Sequence, residues 1–251
     1  MDINADAGEG YGRWALGDDA GLFPHLTSVN LALGFHAGDP VGIAESVRLA
    51  QRHGLGIGAH PGYPDLQGFG RRELALSPGE IYAATLYQLG ALAGFLKAEG
   101  AQMQHVKAHG ALYFRIHADA AAGLAFCRAV QVFAPDAAMM VLAGPAGEEL
   151  ADVAGELGLC VWREAFPERG YAGDGLLAAR TLPGSSIHDP QEAARRAVEM
   201  ARGEVQALDG TPITFQADTL CIHGDNPNAV KIAQAIRAAL EEAAVPVQRP
   251  A

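Results

Sequence analysis

The chain has 251 residues, of which 49% are hydrophobic, and its 18 basic and 29 acidic residues give a formal net charge of −11. This length fits one large α/β domain over residues 1–251, and the acidic balance argues against binding of nucleic acid or an anionic membrane through bulk charge. Three scattered cysteines indicate no disulfide framework, and the lack of a signal core or a long apolar run predicts a cytoplasmic protein.

The first predicted strand, residues 2–6, alternates polar side chains with small or apolar ones. Asp2, Asn4 and Asp6 therefore share one face of the strand. Two interpretations are open: a solvated edge strand, or the first strand of a barrel that aims carboxylates into a site. The glycine-rich stretch that follows matches neither a P-loop nor a dinucleotide fingerprint.

The next two predicted strands each lead to a histidine. The second strand, residues 29–33, precedes His36, and a helix is predicted over residues 41–53. The third strand, residues 55–59, stops at His60, where two nearby prolines prevent its extension. A lone histidine is more often structural, but two at neighbouring strand ends favour a site, because ligands bind at the carboxyl ends of parallel strands.

Basic residues follow both the third and the fourth strand. Arg71 and Arg72 lie in the loop after the third strand, and they are either a solvated pair or a site for a carboxylate or phosphate. The fourth strand, residues 103–106, leads into Lys107 and His109, which alternate onto one face. Such basic groups suit an anionic ligand.

The remaining elements repeat the order of strand and helix. The fifth strand, residues 138–143, ends without a titratable group, whereas the sixth, residues 160–166, carries Glu164. The seventh strand, residues 219–223, ends at His223. Further helices are predicted over residues 81–99, 118–133, 147–157 and 190–202, and residues 224–227 open the last helix.

Seven strands that alternate with helices predict a parallel sheet with right-handed crossovers. The titratable residues at the strand ends are Asp6, His36, His60, His109, Glu164 and His223. Closing the sheet would gather these side chains at one mouth, whereas an open sheet would spread them along a wide edge. The predicted fold is therefore a seven-stranded parallel β/α barrel, a distorted TIM-like barrel with one strand fewer than usual.

Several short motifs in a characteristic order carry a family resemblance. They are Asn4-Ala5-Asp6 with Gly8-Glu9, Gly34-Phe35-His36-Ala37-Gly38-Asp39, Gly58-Ala59-His60-Pro61, Phe69-Gly70-Arg71, His105-Val106-Lys107 with His109-Gly110-Ala111-Leu112-Tyr113, Arg169-Gly170-Tyr171 and His223-Gly224-Asp225. Together they resemble the LamB/YcsF family, the A subunit of bacterial 5-oxoprolinase, over nearly the whole chain.

The resemblance implies a fold, an activity and partners. The fold is a seven-stranded β/α barrel of the glycoside hydrolase/deacetylase type, related to polysaccharide deacetylases. The activity is the ATP-dependent opening of 5-oxoproline (pyroglutamate) to L-glutamate, together with partner B and C subunits (KipI-like and KipA-like). Because the sequence has no Walker-type loop, we expect ATP to be handled largely by the partner subunits or at an atypical site here.

Each strand-end residue then has an expected role. The lactam carbonyl is a poor electrophile, so it must be activated before a base delivers water to it. The candidate catalytic residues are Asp6, His36, His60, His109 and Glu164, with Asp6 or His60 as the base. The candidate substrate-binding residues are Asn4, Arg71, Lys107, His223 and Asp225. A competing hypothesis from the deacetylase relation is a divalent metal on Asp6, His36 and His60.

Two alternative functions remain open at this point. The first is a stand-alone metal-dependent deacetylase or amidohydrolase, which would act without nucleotide and lose activity on chelation. The second is a non-catalytic subunit that binds and regulates its partner proteins.

Overall fold

The computed structural model describes residues 1–250, so the last residue of the predicted domain, Ala251, lies outside the described residues. Seven parallel strands close into a barrel, as predicted. They are β1 (Asp2–Ala7), β2 (Ser28–Ala32), β3 (Gly56–His60), β4 (His105–Val106), β5 (Ala138–Leu142), β6 (Val161–Ala165) and β9 (Thr219–His223). The intervening β7 (Glu204–Gln206) and β8 (Pro212–Thr214) form a separate antiparallel pair.

Helices follow most strands and surround the barrel. They are α1 (Asp19–Leu22), α2 (Pro40–Arg52), α3 (Pro78–Glu99), α4 (Gly110–Ala118), α5 (Ala120–Phe133), α6 (Glu148–Glu156), α7 (Pro190–Ala201) and α8 (Ala229–Glu242). None of the helices within residues 1–250 is long and apolar enough to cross a membrane.

The first strand closes the barrel. β1 pairs in parallel with β2 on one side and with β9 on the other, so Asp6 lies level with Asn30 and with His223. All six residues of β1 are buried. The solvated-edge interpretation of this strand is therefore wrong: both of its edges are paired, and its polar side chains face the barrel interior, where Asn4 and Asp6 meet side chains from other strands.

The structure departs from the predicted helices in three places. The helix predicted over residues 118–133 corresponds to α5, which begins two residues later, because Asp119 has an extended backbone and caps α5 with its carboxylate. The preceding helix, α4, begins immediately after His109 and was not predicted. The last helix begins at Ala229, later than the predicted opening at residues 224–227.

The apolar core lies between the barrel and its helices. Ile3 and Ala5 of β1 belong to this core, and so do Leu89 and Leu92 of α3. A capping box formed by Ser77 and Glu80 is present at the start of α3, which fixes where this long helix begins. Since the helices bury the outer faces of the strands, the polar side chains of β1 lie in the barrel interior, beside a smaller apolar cluster of Ala138, Met140 and Trp162.

Candidate active site

A cavity of about 580 Å³ opens at the carboxyl ends of the barrel strands. Six polar residues from five different strand ends and loops are among its walls: Asp6, His60, Arg71, Lys107, His109 and His223. All six were predicted as site residues, and the structure brings them together at one mouth. A cavity of this size is typical of small-molecule sites.

Asp6 lies at the centre of the polar cluster. Its Oδ1 accepts hydrogen bonds from Lys107 Nζ at 2.7 Å and from Asn30 Nδ2 at 2.8 Å. Its Oδ2 lies 3.4 Å from His60 Nε2. Burial opposes ionisation of Asp6, but His60 and Lys107 outweigh it and hold the pKa of this carboxyl well below its usual value. Asp6 is therefore a carboxylate with one fully engaged oxygen and one oxygen still available.

Lys107 is a buried cation between two carboxylates. Its ammonium lies 2.7 Å from Asp6 and 2.9 Å from Glu164, and its side chain is 2% exposed. Burial would lower the pKa of Lys107, but Asp6, Cys221 and Glu164 raise it well above the usual value. Lys107 was expected to bind an anionic ligand, and that role stays a prediction; in the structure its charge is already paired.

Glu164 and Asn4 lie below Asp6 in the barrel interior, and both are fully buried. Asn4 Nδ2 donates to Glu164 Oε1 at 3.0 Å and to Thr219 Oγ1 at 2.7 Å. Burial raises the pKa of Glu164, although Lys107 partly opposes this shift. Neither residue lines the cavity, so their geometry suits holding Lys107 in place rather than contacting a ligand.

Three histidines converge beside Asp6. His60 Nε2 lies 3.0 Å from His109 Nδ1, and the ring of His36 stacks on that of His109 with 3.7 Å between centroids. His36 is four residues beyond the end of β2, but its loop folds back so that the residue is 1% exposed. Burial, followed by the neighbouring histidines, lowers the pKa of His36 well below its usual value.

Glycines make room for the rings of His105 and His36. A Cβ on Gly58 would lie 2.0 Å from His105 Nε2, and one on Gly62 would lie 2.6 Å from His36 Nδ1. Both separations are too short for non-bonded atoms, so a larger residue at either position would displace the ring. This explains locally why glycines flank the His-Pro turn after β3.

The arginines of the mouth differ in their partners. Arg71 pairs with Asp225 at 2.6 Å, and Arg169 donates to the backbone carbonyls of Ala178 and Ser185. Arg180, in the long loop after β6, also lines the cavity, and its side chain forms neither an ion pair nor a hydrogen bond within residues 1–250. Burial and the nearby Arg71 lower the pKa of Arg180. Arg180 is therefore a guanidinium available to a ligand at the mouth, and it was not predicted as a site residue.

Asp225 and Arg72 complete the predicted residues of this region. Asp225 was predicted to bind substrate, and its ion pair with Arg71 places it at the rim. Arg72 pairs with Asp65 instead and does not line the cavity. Of the two neighbouring arginines, only Arg71 thus faces the mouth.

Residues 1–251 match the LamB/YcsF family. The chain belongs to this family. The A subunit of 5-oxoprolinase from Deinococcus radiodurans is 70% identical over 248 residues, which cover 99% of this chain and 96% of the relative. The A subunit of 5-oxoprolinase from Thermus thermophilus is 56% identical over 249 residues, 99% of this chain and 98% of the relative.

A solved structure agrees with this assignment to the LamB/YcsF family. The crystal structure of a lactam utilization protein from Thermus thermophilus has 53% sequence identity and a TM-score of 0.93, and it covers 100% of this chain and 99% of that one. The family and the barrel fold predicted above are confirmed.

Two acidic residues of this LamB/YcsF chain were missed as site residues. The carboxylate of Glu9 lies 3.8 Å from His109 Nδ1 and 3.9 Å from His36 Nε2, and the residue is 5% exposed. Glu168 accepts a hydrogen bond from the backbone N–H of His223 at 2.7 Å. Glu9 closely follows the first strand in a glycine-rich stretch, and this position in the sequence could have identified it as a site residue.

The metal ligands predicted from the deacetylase relation fall into two different groups. His36 and His60 lie with Glu9 and His109, whereas Asp6 lies with Cys221 and His223. Within each group one potential ligand atom per residue lies within 4.8 Å of the others. The predicted set of Asp6, His36 and His60 stays a prediction, and the structure offers Glu9 and His109 as further candidates.

Proposed function

We propose that this chain is the A subunit of an ATP-dependent 5-oxoprolinase, which opens 5-oxoproline to L-glutamate together with partner B and C subunits in the cytoplasm. Curated relatives of 70% and 56% identity are named as A subunits of 5-oxoprolinase, and a structural relative is named a lactam utilization protein. The observation that carries the proposal for this chain is the ionised carboxylate of Asp6, which lines a cavity of small-molecule size and has one oxygen, Oδ2, that accepts no hydrogen bond within residues 1–250.

Asp6 is the proton acceptor in this proposal. Opening the ring requires water to add to the lactam carbonyl carbon, the C–N bond to break, and the ring nitrogen to gain a proton. Lys107 and Asn30 hold one oxygen of Asp6, which fixes the orientation of a carboxylate that lines the cavity. A positioned carboxylate can take the proton of the attacking water and return it to the leaving nitrogen.

Arg180 and Arg71 bind the substrate carboxylate in this proposal. Both guanidinium groups line the cavity in a protein whose net charge of −11 repels anions. An arginine binds a carboxylate through two parallel hydrogen bonds, which fixes the orientation of a small ring as well as its position. Lys107 is less suited to this role, because its buried ammonium lies between the carboxylates of Asp6 and Glu164, whereas the Arg71 side chain is 36% exposed and pairs with a single carboxylate.

The partner subunits handle ATP in this proposal. The lactam carbonyl is a poor electrophile, and transfer of the terminal phosphoryl group of ATP to its oxygen would open the carbon to attack by water. Cleavage of the C–N bond would then leave an acyl phosphate, which a second water hydrolyses to glutamate and phosphate. The chain has no Walker-type loop, and the side chains at the mouth place water and balance charge without an evident route for phosphoryl transfer.

Glutamate formation from 5-oxoproline tests this function, with the purified chain measured alone, with the partner subunits, and with and without ATP. We expect little or no turnover by the chain alone and ATP-dependent turnover by the assembly. Robust ATP-independent hydrolysis by the isolated chain would instead support the stand-alone hydrolase. Full turnover by an assembly that carries Asp6→Asn would support a non-catalytic, regulatory subunit.

A further inference from the structure

Four buried side chains at the mouth, here called the histidine cluster, carry no role in the proposed function. They are Glu9, His36, His60 and His109. Each is at most 5% exposed, and each offers one donor atom within 4.8 Å of the other three. They come from four different loops or strand ends, so the barrel closure itself brings them together.

In two of these histidines, a backbone carbonyl determines which ring nitrogen carries the hydrogen. His60 Nδ1 lies 2.9 Å from the carbonyl oxygen of Lys107, and His109 Nε2 lies 2.8 Å from that of Phe69. A carbonyl oxygen only accepts, so each of these nitrogens carries the hydrogen. In the neutral rings, His60 Nε2 and His109 Nδ1 are then bare lone pairs, and they face each other at 3.0 Å. Two lone pairs at this distance repel, so a cation belongs with them.

His36 indicates that this cation is more than a shared proton. Both of its ring nitrogens are buried and lack a hydrogen-bond partner within residues 1–250. Buried polar atoms are rarely left unpaired, because each costs the free energy of its lost hydration. A proton on His60 Nε2, shared with His109 or with the Asp6 carboxylate 3.4 Å away, would relieve this repulsion but would leave His36 unsatisfied. An ion that accepts several lone pairs would engage all three rings.

We propose that the histidine cluster binds one divalent transition-metal ion of the Zn²⁺ class, with three imidazole nitrogens and the Glu9 carboxylate as ligands. Imidazole and carboxylate together suit Zn²⁺ and similar ions. The backbone carbonyls that bind the far nitrogens of His60 and His109 match the usual surroundings of a metal-bound histidine, since they orient the ring.

The distances are close to those that such an ion needs. Tetrahedral bonds of about 2.1 Å place neighbouring ligand atoms about 3.4 Å apart. The His60–His109 pair is at 3.0 Å, and the Glu9 carboxylate is 3.8 Å from His109 and 3.9 Å from His36. The parallel stack of His36 on His109 keeps their in-plane lone pairs from meeting at one ion, so the His36 ring would have to turn out of the stack to complete the site. Asp6 is less suited as a ligand, because Lys107 and Asn30 occupy its Oδ1.

The ion would lie beside the proposed proton acceptor. Asp6 Oδ2 is 3.4 Å from His60 Nε2, and His60 and His109 line the same cavity as Asp6, whereas Glu9 and His36 lie behind them. A bound ion of this class supplies Lewis-acid polarisation of an oxygen atom. Metal binding by the histidine cluster does not depend on whether the chain takes part in the 5-oxoprolinase reaction.

Metal binding to the isolated chain tests the inference. Chain stripped with a chelator and dialysed should bind one Zn²⁺ per molecule by calorimetry, and its melting temperature should rise with added Zn²⁺. Co²⁺ in place of Zn²⁺ should give the visible absorption of a nitrogen- and oxygen-ligated ion. His36→Gln should weaken binding by more than about 100-fold, since loss of an outer contact alone costs about 10–100-fold.

His36→Gln is a suitable variant, because His36 makes no hydrogen bond that its replacement would break. Its metal-free melting temperature should stay near that of the parent chain, and Glu9→Gln provides a second test should His36→Gln fail to fold. His53→Gln, which removes an exposed imidazole, is the matched control and should bind metal normally. Three results would each overturn the inference: no stoichiometric binding by the parent chain, unchanged binding in both variants, or binding abolished by Cys221→Ser in the other group.

Discussion

The barrel interior contains two polar regions that are equally buried but differently paired. At the bottom, the Asp2 carboxylate accepts hydrogen bonds from the hydroxyls of Thr27, Ser28 and Thr219. At the mouth, His36 has no hydrogen-bond partner within residues 1–250, and two bare ring nitrogens face each other. The bottom region is closed within the barrel, whereas the mouth opens into the cavity.

The difference separates structural polar groups from functional ones. A buried polar network whose donors and acceptors all match holds strands in register and needs nothing from outside. A network with unmatched groups beside a cavity is costly on its own, and that cost is recovered when a ligand binds. Burial alone therefore does not identify a site in this barrel; unmatched groups next to open space do.

The largest expected effect is on turnover by the full assembly. Asp6→Asn should lower turnover by up to about 10⁴-fold, because the amide cannot accept a proton from water. Asp2→Asn is the matched control at the bottom of the same strand, and it should leave turnover per folded molecule unchanged. Turnover assays and melting curves of both variants provide the measurement. Similar losses of turnover in the two variants would show that the mouth and the bottom of the barrel do not differ in function.

The next effect is on stability, since part of the mouth is structural. Lys107→Met should lower the free energy of unfolding by about 3–5 kcal/mol, because two buried carboxylates lose their shared cation. Lys97→Met on the exposed face of α3 should change it by less than about 0.5 kcal/mol. Urea unfolding of both variants provides the measurement. A stable Lys107→Met chain with weakened substrate binding would restore the anion-binding role.

His117 lies away from the mouth, and both of its ring nitrogens are hydrogen-bonded. It should make the stability of the fold depend on pH. His117 Nδ1 donates to the Tyr113 carbonyl at 2.7 Å, and its Nε2 accepts from Leu142 N–H at 2.9 Å. Burial lowers the pKa of His117 from 6.5 to about 4. Between these two values the unfolded chain takes up a proton that the folded chain does not, so stability falls as the pH is lowered.

The expected loss from His117 is roughly 3 kcal/mol between pH 6.5 and pH 4. Over this pH range the free energy of unfolding of His117→Gln should therefore fall by roughly 3 kcal/mol less than that of the parent chain. Denaturant unfolding at several pH values measures the slope, with His53→Gln as the control. An identical slope in His117→Gln and the parent chain would show that His117 is not held neutral in the fold.

The smallest expected effect concerns substrate binding at the rim. Arg180→Gln should raise the KM for 5-oxoproline about 10–100-fold with little change in kcat, as loss of a charge-assisted hydrogen bond predicts. Arg128→Gln, on the exposed face of α5, should change neither constant. Steady-state kinetics of the assembly separates the two constants. A lower kcat with unchanged KM would place Arg180 in the chemical step instead.

The alternation of apolar runs and helices was sufficient to predict the barrel. The β7–β8 pair was missed because its strands have only three residues each, although Asp209-Gly210 between them is a hairpin signal. The helix α4 was missed because it follows His109 without a separate loop. Both errors concern short or adjoining elements, where periodicity has few residues to act on.

The site was predicted only in its outline. The strand-end rule located Asp6, His60 and His109, since it depends on position along the chain. It could not show that Lys107 is paired, because its partners Asp6 and Glu164 come from distant strands and meet only when the barrel closes. Glu9 was missed because it lies in a loop whose path the sequence does not determine.

The pairing of β1 with β9 also has a consequence for synthesis of the protein. The first strand leaves the ribosome early, but its second partner begins only at Thr219. Until then β1 and β6 both present unpaired backbone edges, which readily pair with other chains and lead to aggregation. Because the closing contacts are so distant in sequence, they also form late and slowly. The two edges that β9 joins therefore stay open on the growing chain until residues 219–223 have been made.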